Sequence, residues 1–384
     1  MFLCAASLVL ASLSAPPAAA ATADCVEEGN YEVCFTYGGT TETLIARKIK
    51  AKIDATADAA QSGDYIRVAL YEWVKDTDGY GTQVAQSLVR AAQNGVNVRV
   101  VLSSLGSNDA VVSYLEANNI DVHQCAKACN GPDGTMHNKI FLIKKGDTRL
   151  VLQSSSNFSL KQAQHAQNLL ISRDDTALFT HYVDYWNRMR AANDATKTYW
   201  THGGVTWDDD AKARAGDNDL SRAYFYPMET KSPLVGVLRN VTACAAGNDR
   251  VWLEASLFNP SDYSKAIAAE LNRLVGIGCN VKVIVQKESG ETELKAQGFP
   301  AARVFCHGEH HNKLTLIDAY YAGAWREAVF VGSYNVTENS LRNADDAMLR
   351  VINGWATARY VEQFQALWGA DVGCDQTDDG SGSS

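Results

Sequence analysis

The sequence lacks an excess of basic residues. Its 384 residues carry 35 Lys and Arg against 44 Asp and Glu, a formal net charge of −9. That balance argues against broad electrostatic capture of nucleic acid, while leaving room for a small basic site inside an acidic shell. It also lacks any run of about 18 consecutive apolar residues, so no bilayer-spanning helix is expected. Compositional bias is missing too. With 46% hydrophobic and 21% charged residues, the chain is neither a disordered tail protein nor a fibrous repeat. At about 150 residues per domain, its length suits two domains, each able to bury a core.

The N-terminus lacks the charged stretch that usually opens an export signal, but the other parts are present. Phe2 to Leu13 is apolar, and Ala/Pro-rich sequence follows to Ala23. Ala21-Thr22-Ala23 fits the small-x-small rule for cleavage before Asp24, with Ala18-Ala19-Ala20 as an alternative cut. Residues 1–23 therefore read as a signal peptide, and the mature protein is expected to be soluble and secreted into the extracellular space. A buried N-terminal helix is the competing reading.

Export changes the cysteine arithmetic. Of nine cysteines, Cys4 leaves with the signal, and an even set remains: Cys25, Cys34, Cys125, Cys129, Cys244, Cys279, Cys306 and Cys374. In an oxidising compartment that set suggests disulfides. Cys125-x-x-x-Cys129 has the spacing of half a zinc site, but His123 and His137 nearby supply no second pair, which favours a local bridge.

The chain contains one pattern twice. Leu88 to Leu102 matches Leu271 to Val285: the end of an amphipathic helix, a glycine stop and an apolar strand. Apolar runs at Tyr65–Trp73 and Arg250–Phe258 precede these, with helices expected from about Gly81 and Asp262. The repeat continues from Leu115–Cys125 to Leu294–Cys306. Strand–helix–strand units imply parallel pairing. Two repeats are too few for a solenoid. The expectation is an α/β fold of two similar domains with mixed, largely parallel sheets, related by a pseudo-twofold axis. Their bounds are 24–195 and 232–374, with a linker over 196–231 and a polar, disordered tail over 375–384. The repeat also pairs Cys244 with Cys279, each just before a matching strand. Cys25–Cys34 would close a hairpin and Cys125–Cys129 a loop, which leaves Cys306–Cys374.

The strongest correspondence is Met136-His137-Asn138-Lys139 with His310-His311-Asn312-Lys313. On a strand, residues two apart share a face, so each histidine projects with its lysine. A neutral imidazole can attack phosphorus or carry a proton, and a nearby ammonium can hold an anionic oxygen. Downstream, Ser155 with Asn157 and Ser333 with Asn335 offer further hydrogen bonds to that anion. Two such sets in one place suit a phosphodiester without a metal or other cofactor. His307, His310 and His311 resemble a metal cluster in sequence, but His310 should point away from His311 on a strand.

His311-Asn-Lys313-Leu-Thr-Leu-Ile-Asp318, followed by Gly332-Ser333-Tyr334-Asn335, resembles the His-x-Lys-x4-Asp and Gly-Ser-x-Asn signatures of the phospholipase D superfamily. The first half departs from them: Lys144 stands where the aspartate is expected, with Asp147 three residues on, and Ser154 replaces the glycine. The resemblance covers nearly all of 24–374. It implies a catalytic set of His137, Lys139, His311, Lys313 and Asp318. It further implies a phosphohistidine intermediate, with one histidine as nucleophile and the other as acid–base. The N-terminal histidine is often the nucleophile in this family, which would be His137. An acidic residue after Gly-Ser-x-Asn orients that nucleophile, and Asp345 and Asp346 are the candidates. The first half offers only Gln167-Asn168 there. Asp318 is equally readable as a fold-supporting hydrogen-bond partner.

The expected activity is head-group hydrolysis of phospholipids, with transfer to an added alcohol as a variant. A secreted metal-independent nuclease, and a catalytically silent phosphate- or lipid-binding protein, are the alternatives. Nucleic acid is a partner only under the first of these. Transient membrane contact is expected, with Tyr320 to Trp325 as a docking or rim segment or a plain surface turn. The duplication removes the need for a dimer, so a monomer is expected.

Overall fold

The computed structural model describes residues 24–76, 79–131, 133–192, 201–202, 205–206, 220–245, 249–370 and 372–375. The expected signal peptide lies outside these residues, as do most of the linker and all of the tail beyond Asp375.

The first half runs β1 (Asp24–Glu28), β2 (Tyr31–Phe35), α1 (Leu44–Asp58), β3 (Tyr65–Leu70), α2 (Tyr80–Gln93), β4 (Asn97–Ser103), α3 (Asp109–Ala117), β5 (Asp121–Cys125), β6 (Lys139–Lys145), β7 (Thr148–Ser154), β8 (Asn168–Arg173) and α4 (Thr176–Ala191). A short pair, β9 (Thr201–His202) with β10 (Val205–Thr206), follows. The second half runs β11 (Ser221–Phe225), α5 (Pro233–Arg239), β12 (Val241–Ala243), β13 (Arg250–Ala255), α6 (Asp262–Gly276), β14 (Asn280–Val285), α7 (Glu288–Ala296), β15 (Val304–Cys306), β16 (Lys313–Tyr321), β17 (Ala324–Gly332), α8 (Glu338–Arg342), β18 (Ala347–Ile352) and α9 (Gly354–Leu367).

Each half builds one sheet. The first has the order β1-β2-β8-β7-β6-β3-β4-β5, and the second β11-β18-β17-β16-β13-β14-β15, with β12 on β16. The repeated stretches are the matching units α2–β4 and α6–β14, so the duplication is real in three dimensions. The sheets are mixed as expected, but the parallel share is smaller than expected. Among the described strands, only β3–β4–β5 and β13–β14–β15 pair in parallel. The β6–β7–β8 and β16–β17–β18 meanders are antiparallel; in the β6–β7 and β16–β17 hairpins two-residue links such as Gly146-Asp147 allow no other pairing. Part of the expected linker is also structured: β11 is the edge strand on β18.

Local sequence explains the elements. Helix α1 buries Ile45, Ile49 and Ile53, a four-residue stripe on one face. Asp175, Ser261 and Asn353 cap α4, α6 and α9 by accepting a backbone N–H. Helices α1, α2 and α3 close one face of the first sheet. The other face packs on α4 and the second half. The contact is reciprocal: Tyr185 of α4 stacks on Phe225 of β11 at 4.2 Å, and Tyr360 of α9 meets Phe35 of β2 at 4.9 Å. All four expected disulfides are formed: Cys25–Cys34, Cys125–Cys129, Cys244–Cys279 and Cys306–Cys374. Cys125–Cys129 is thus a bridge and not half a zinc site. Among the described residues, no helix is long and apolar enough to cross a membrane.

Candidate active site

The two His-x-Lys motifs meet where the halves join. Each histidine sits just ahead of its strand, since β6 begins at Lys139 and β16 at Lys313. Each is pinned by the opposite half. The His137 N–H donates to the Asp345 carbonyl at 2.9 Å, and the His311 N–H to the Ala166 carbonyl at 3.0 Å. The intervening asparagines tie the same seam: Asn138 Nδ2 donates to the Asp345 carbonyl at 3.0 Å, and Asn168 Nδ2 to Asn312 Oδ1 at 2.7 Å. The lysines fold back beneath the histidines. Lys139 Nζ donates to the His137 carbonyl at 2.7 Å, and Lys313 Nζ to the His311 carbonyl at 2.9 Å.

Both histidines open onto one cavity of about 400 Å³. Asn157 and Asn335 line it as well, and the buried Oδ1 of each has no partner. Sequence reasoning missed several other lining residues: Tyr71, Lys161, His165 and Lys287. Their signal was weak, because they come from loops outside the motifs. Tyr71 packs its ring edge-on to His137 at 4.9 Å and lies 5.2 Å from Lys139 Nζ.

Of the two candidate acids, Asp346 is the one that touches a histidine. Its Oδ1 lies 2.8 Å from His137 Nδ1, and Ser340 Oγ donates to its Oδ2 at 2.6 Å. Burial alone would raise its pKa. His137 and Lys139 override burial and hold it at about 2, so the carboxylate is charged. Asp345 plays another part. Its carboxylate accepts the N–H groups of Cys129 and Asn130, fixing the Cys125–Cys129 loop against the second half. Burial pushes it up to about 7. Burial and Lys139 push His137 down to about 4, and burial brings Lys139 to about 7. His311 and Lys313 are also lowered well below their ordinary values, first by burial and then by neighbouring cations. An entering phosphodiester anion would supply the missing negative charge and restore protons to this cluster.

Three expected site residues are elsewhere. Asp318 lies five residues along β16 from Lys313, about 16 Å away. It faces Arg250 across the sheet at 3.8 Å. Lys144, at the matching place in the first half, is likewise remote from the cavity: its Nζ donates to the Gly63 carbonyl at the far end of β6. Asp318→Asn should therefore leave kcat within about twofold, as a steady-state assay on any cleaved diester will show; a loss above 100-fold would contradict this placement. The serines do not line the cavity. Ser155 Oγ donates to Gln167 Oε1 at 2.7 Å, and Ser333 Oγ accepts the Ala347 N–H at 3.1 Å and bonds Asp346. Both hydroxyls are bonded to protein partners. The missing glycine at Ser154 has a local explanation too. A Cβ at Gly332 would fall 1.9 Å from the Ala347 carbonyl oxygen, whereas Ser154 Oγ bonds the matching Asn168 carbonyl at 2.9 Å.

His310 turns away from His311, with Nε2 3.3 Å from Glu254 Oε2. Among the described residues, no group of three or more His, Cys, Asp or Glu is arranged to hold a metal. Tyr320–Trp325 forms the β16–β17 hairpin tip, with Trp325 58% exposed. It lies at the end of the sheet opposite the cavity, so it is no rim of the site.

The fold and the paired motifs together define a phospholipase D-like chain. Residues 55–190 and 243–368 match the family model described as "Cardiolipin synthase, PLD-like domain". These stretches cover more than half of the chain, and the chain belongs to that family. Among solved structures, the phosphatidylserine synthase of Haemophilus influenzae Rd KW20 is similar over 90% of this chain and 88% of its own, at 13% identity and a TM-score of 0.60. The polyphosphate kinase of Porphyromonas gingivalis is similar over 88% of this chain, at 14% identity and a TM-score of 0.52, and the chain spans 50% of that kinase. At such identities the likeness is one of fold. No curated protein matches the chain.

Proposed function

We propose that the protein is a secreted phosphodiesterase of phospholipase D type that releases phospholipid head groups through a phosphohistidine. The observation that carries this reading is the His137–Asp346 pair facing His311 across one cavity. An Nδ1–H donated to Asp346 leaves the His137 Nε2 lone pair free for phosphorus. His311 then serves as the acid–base. Lys139, Lys313, Asn157 and Asn335 hold the non-bridging oxygens as charge moves onto them. Every step runs on side chains, so no cofactor is invoked.

A phospholipid suits the site better than a long polyanion. The cavity holds one diester, its wall includes Leu105 and Leu257, and the chain carries a net charge of −9. The protein would act as a monomer in transient contact with a lipid surface, after export with its disulfides formed.

The test is head-group release from phospholipid mixed micelles in excess chelator, beside a plasmid assay. Release without DNA cleavage is expected. DNA cleavage without lipid turnover would overturn the lipid reading in favour of a nuclease. Neither activity, with vesicle binding retained, would leave a silent binding protein. Loss of release on chelation would refute metal-free catalysis.

A further inference from the structure

The two motif histidines are held in different ways. The His311 N–H meets the Ala166 carbonyl as the His137 N–H meets that of Asp345. This register aligns Gln167 with Asp346, so the first half supplies no acid at that place. His311 is placed instead by the turn that precedes it. The His310 N–H donates to the His307 carbonyl at 3.1 Å, and the Glu309 carbonyl accepts the Ala166 N–H at 2.6 Å. That turn presses His311 against the first half.

Glu254 of β13 stands against the turn. Lys313 pairs with Ala255 as Lys139 pairs with Leu70, so Ala69 is the first-half counterpart of Glu254, and the carboxyl has no match there. Glu254 is 1% exposed and His310 0%. Glu254 Oε2 lies 3.3 Å from His310 Nε2. Among the described residues, neither carboxyl oxygen and neither ring nitrogen has a hydrogen-bond partner. Two acceptors cannot satisfy each other, and a proton between them satisfies both.

The surroundings say which group carries it. The strand neighbours of Glu254, Ile284 and Leu314, are apolar. His307 and Asn312 act on Glu254, Lys313 acts on His310, Tyr360 approaches from α9, and His165 approaches from the first half. Among the described residues, no lysine or arginine pairs with Glu254. Burial pushes Glu254 up to about 8, while burial and then Lys313 bring His310 down to about 3. The proton therefore belongs to the carboxyl.

We propose that Glu254 is a positioning residue for His311: its protonated carboxyl donates to His310 Nε2 and locks the turn that sets the His311 ring in the cavity. This rests on the proposed role of His311 as acid–base. Loss of the Glu254 proton leaves a carboxylate against a ring lone pair, so His310 must turn or take up a proton. Either change occurs one residue from His311. Activity should thus fall on the alkaline side as Glu254 ionises.

The experiment compares two variants. Glu254→Gln keeps a donor to His310 and has nothing to ionise, whereas Glu254→Ala removes the donor. At pH 6.5 the alanine variant should lose about 10²-fold in kcat for head-group release, with KM within about threefold, and the glutamine variant should restore kcat to within about threefold. Ionisations common to both forms cancel in a ratio. The kcat of the glutamine variant over that of the unaltered protein should therefore climb about tenfold from pH 6.5 to 9.5. A flat ratio, or an alanine variant with unaltered kcat, would overturn the inference. The same pair is read without turnover in ¹⁵N-histidine-labelled protein. Below pH 7 the His310 proton should sit on Nδ1, and between pH 7 and 9 the His310 and His311 signals should move in the unaltered protein differently from the glutamine variant. A His310 proton on Nε2 below pH 7, or His311 signals indifferent to the substitution over that range, would overturn it too. The tautomer in the unaltered protein decides if neither variant folds. If no form turns over phospholipid, the proposed function fails, and the spectra still decide whether Glu254 places His311.

Discussion

Replacing His137 with alanine is expected to lower head-group release about 10⁴-fold and to abolish any phosphoenzyme. The size follows from what the position supplies. Among the described residues, His137 is the only cavity histidine whose ring is hydrogen-bonded to a carboxylate, through Nδ1 at 2.8 Å from Asp346. In the proposed mechanism that partner leaves Nε2 as the nucleophile and stabilises the positive charge the ring acquires on attack. His311 is no substitute, because Lys313 and not an acid stands beside it. The His137 backbone carries the seam contact to Asp345, and that N–H survives in alanine. The loss should therefore fall on kcat, with KM changed by less than about threefold. Activity near the level of the unaltered protein would refute covalent catalysis at this residue.

Asp346→Asn is expected to cost about 10³-fold in kcat. An amide can present its NH₂ to Nδ1, forcing the proton onto Nε2 and blocking the lone pair that attacks. The side chain is wholly buried, so stability must be followed in parallel by urea unfolding. The sign of the pH effect is fixed. The folded-state pKa of Asp346 is lowered to about 2 from an ordinary 3.8, against burial, by His137 and Lys139. Such a group adds stability above the ordinary value and loses it as pH falls toward 2. The asparagine variant should lose that component, so its stability falls less between pH 5 and pH 2. A steeper acid loss in the variant, or an undiminished kcat, would contradict this role for Asp346.

Much of this was legible in the sequence because the chain repeats itself. The matching of Leu88–Leu102 with Leu271–Val285 located two helix–strand units, and the motif pairs located His137, Lys139, His311 and Lys313. Cys244 and Cys279 could be paired because each precedes an equivalent strand. What was not legible depended on position in space. Asp318 follows Lys313 at the motif's spacing, but five residues of strand carry it away from the cavity. Trp325 failed as a rim residue for the same reason. Asp345 and Asp346 are adjacent in sequence, yet one holds a loop and the other the His137 ring. Alternation along an extended segment separates them, and only the backbone register says which is which. That register also moves the first-half counterpart of Asp346 to Gln167. The smaller parallel share of the sheets had no sequence signal, since an apolar run reads alike in either pairing.

The measurement closest to the central claim is a trapped intermediate. A phospholipid labelled with ³²P is mixed with the protein, the reaction is quenched in alkali to preserve phosphohistidine, and the labelled peptide is mapped. The label should be on His137, in amounts approaching one per chain. Label on His311 would reverse the assigned roles, and turnover with no label on either histidine would contradict the covalent mechanism itself.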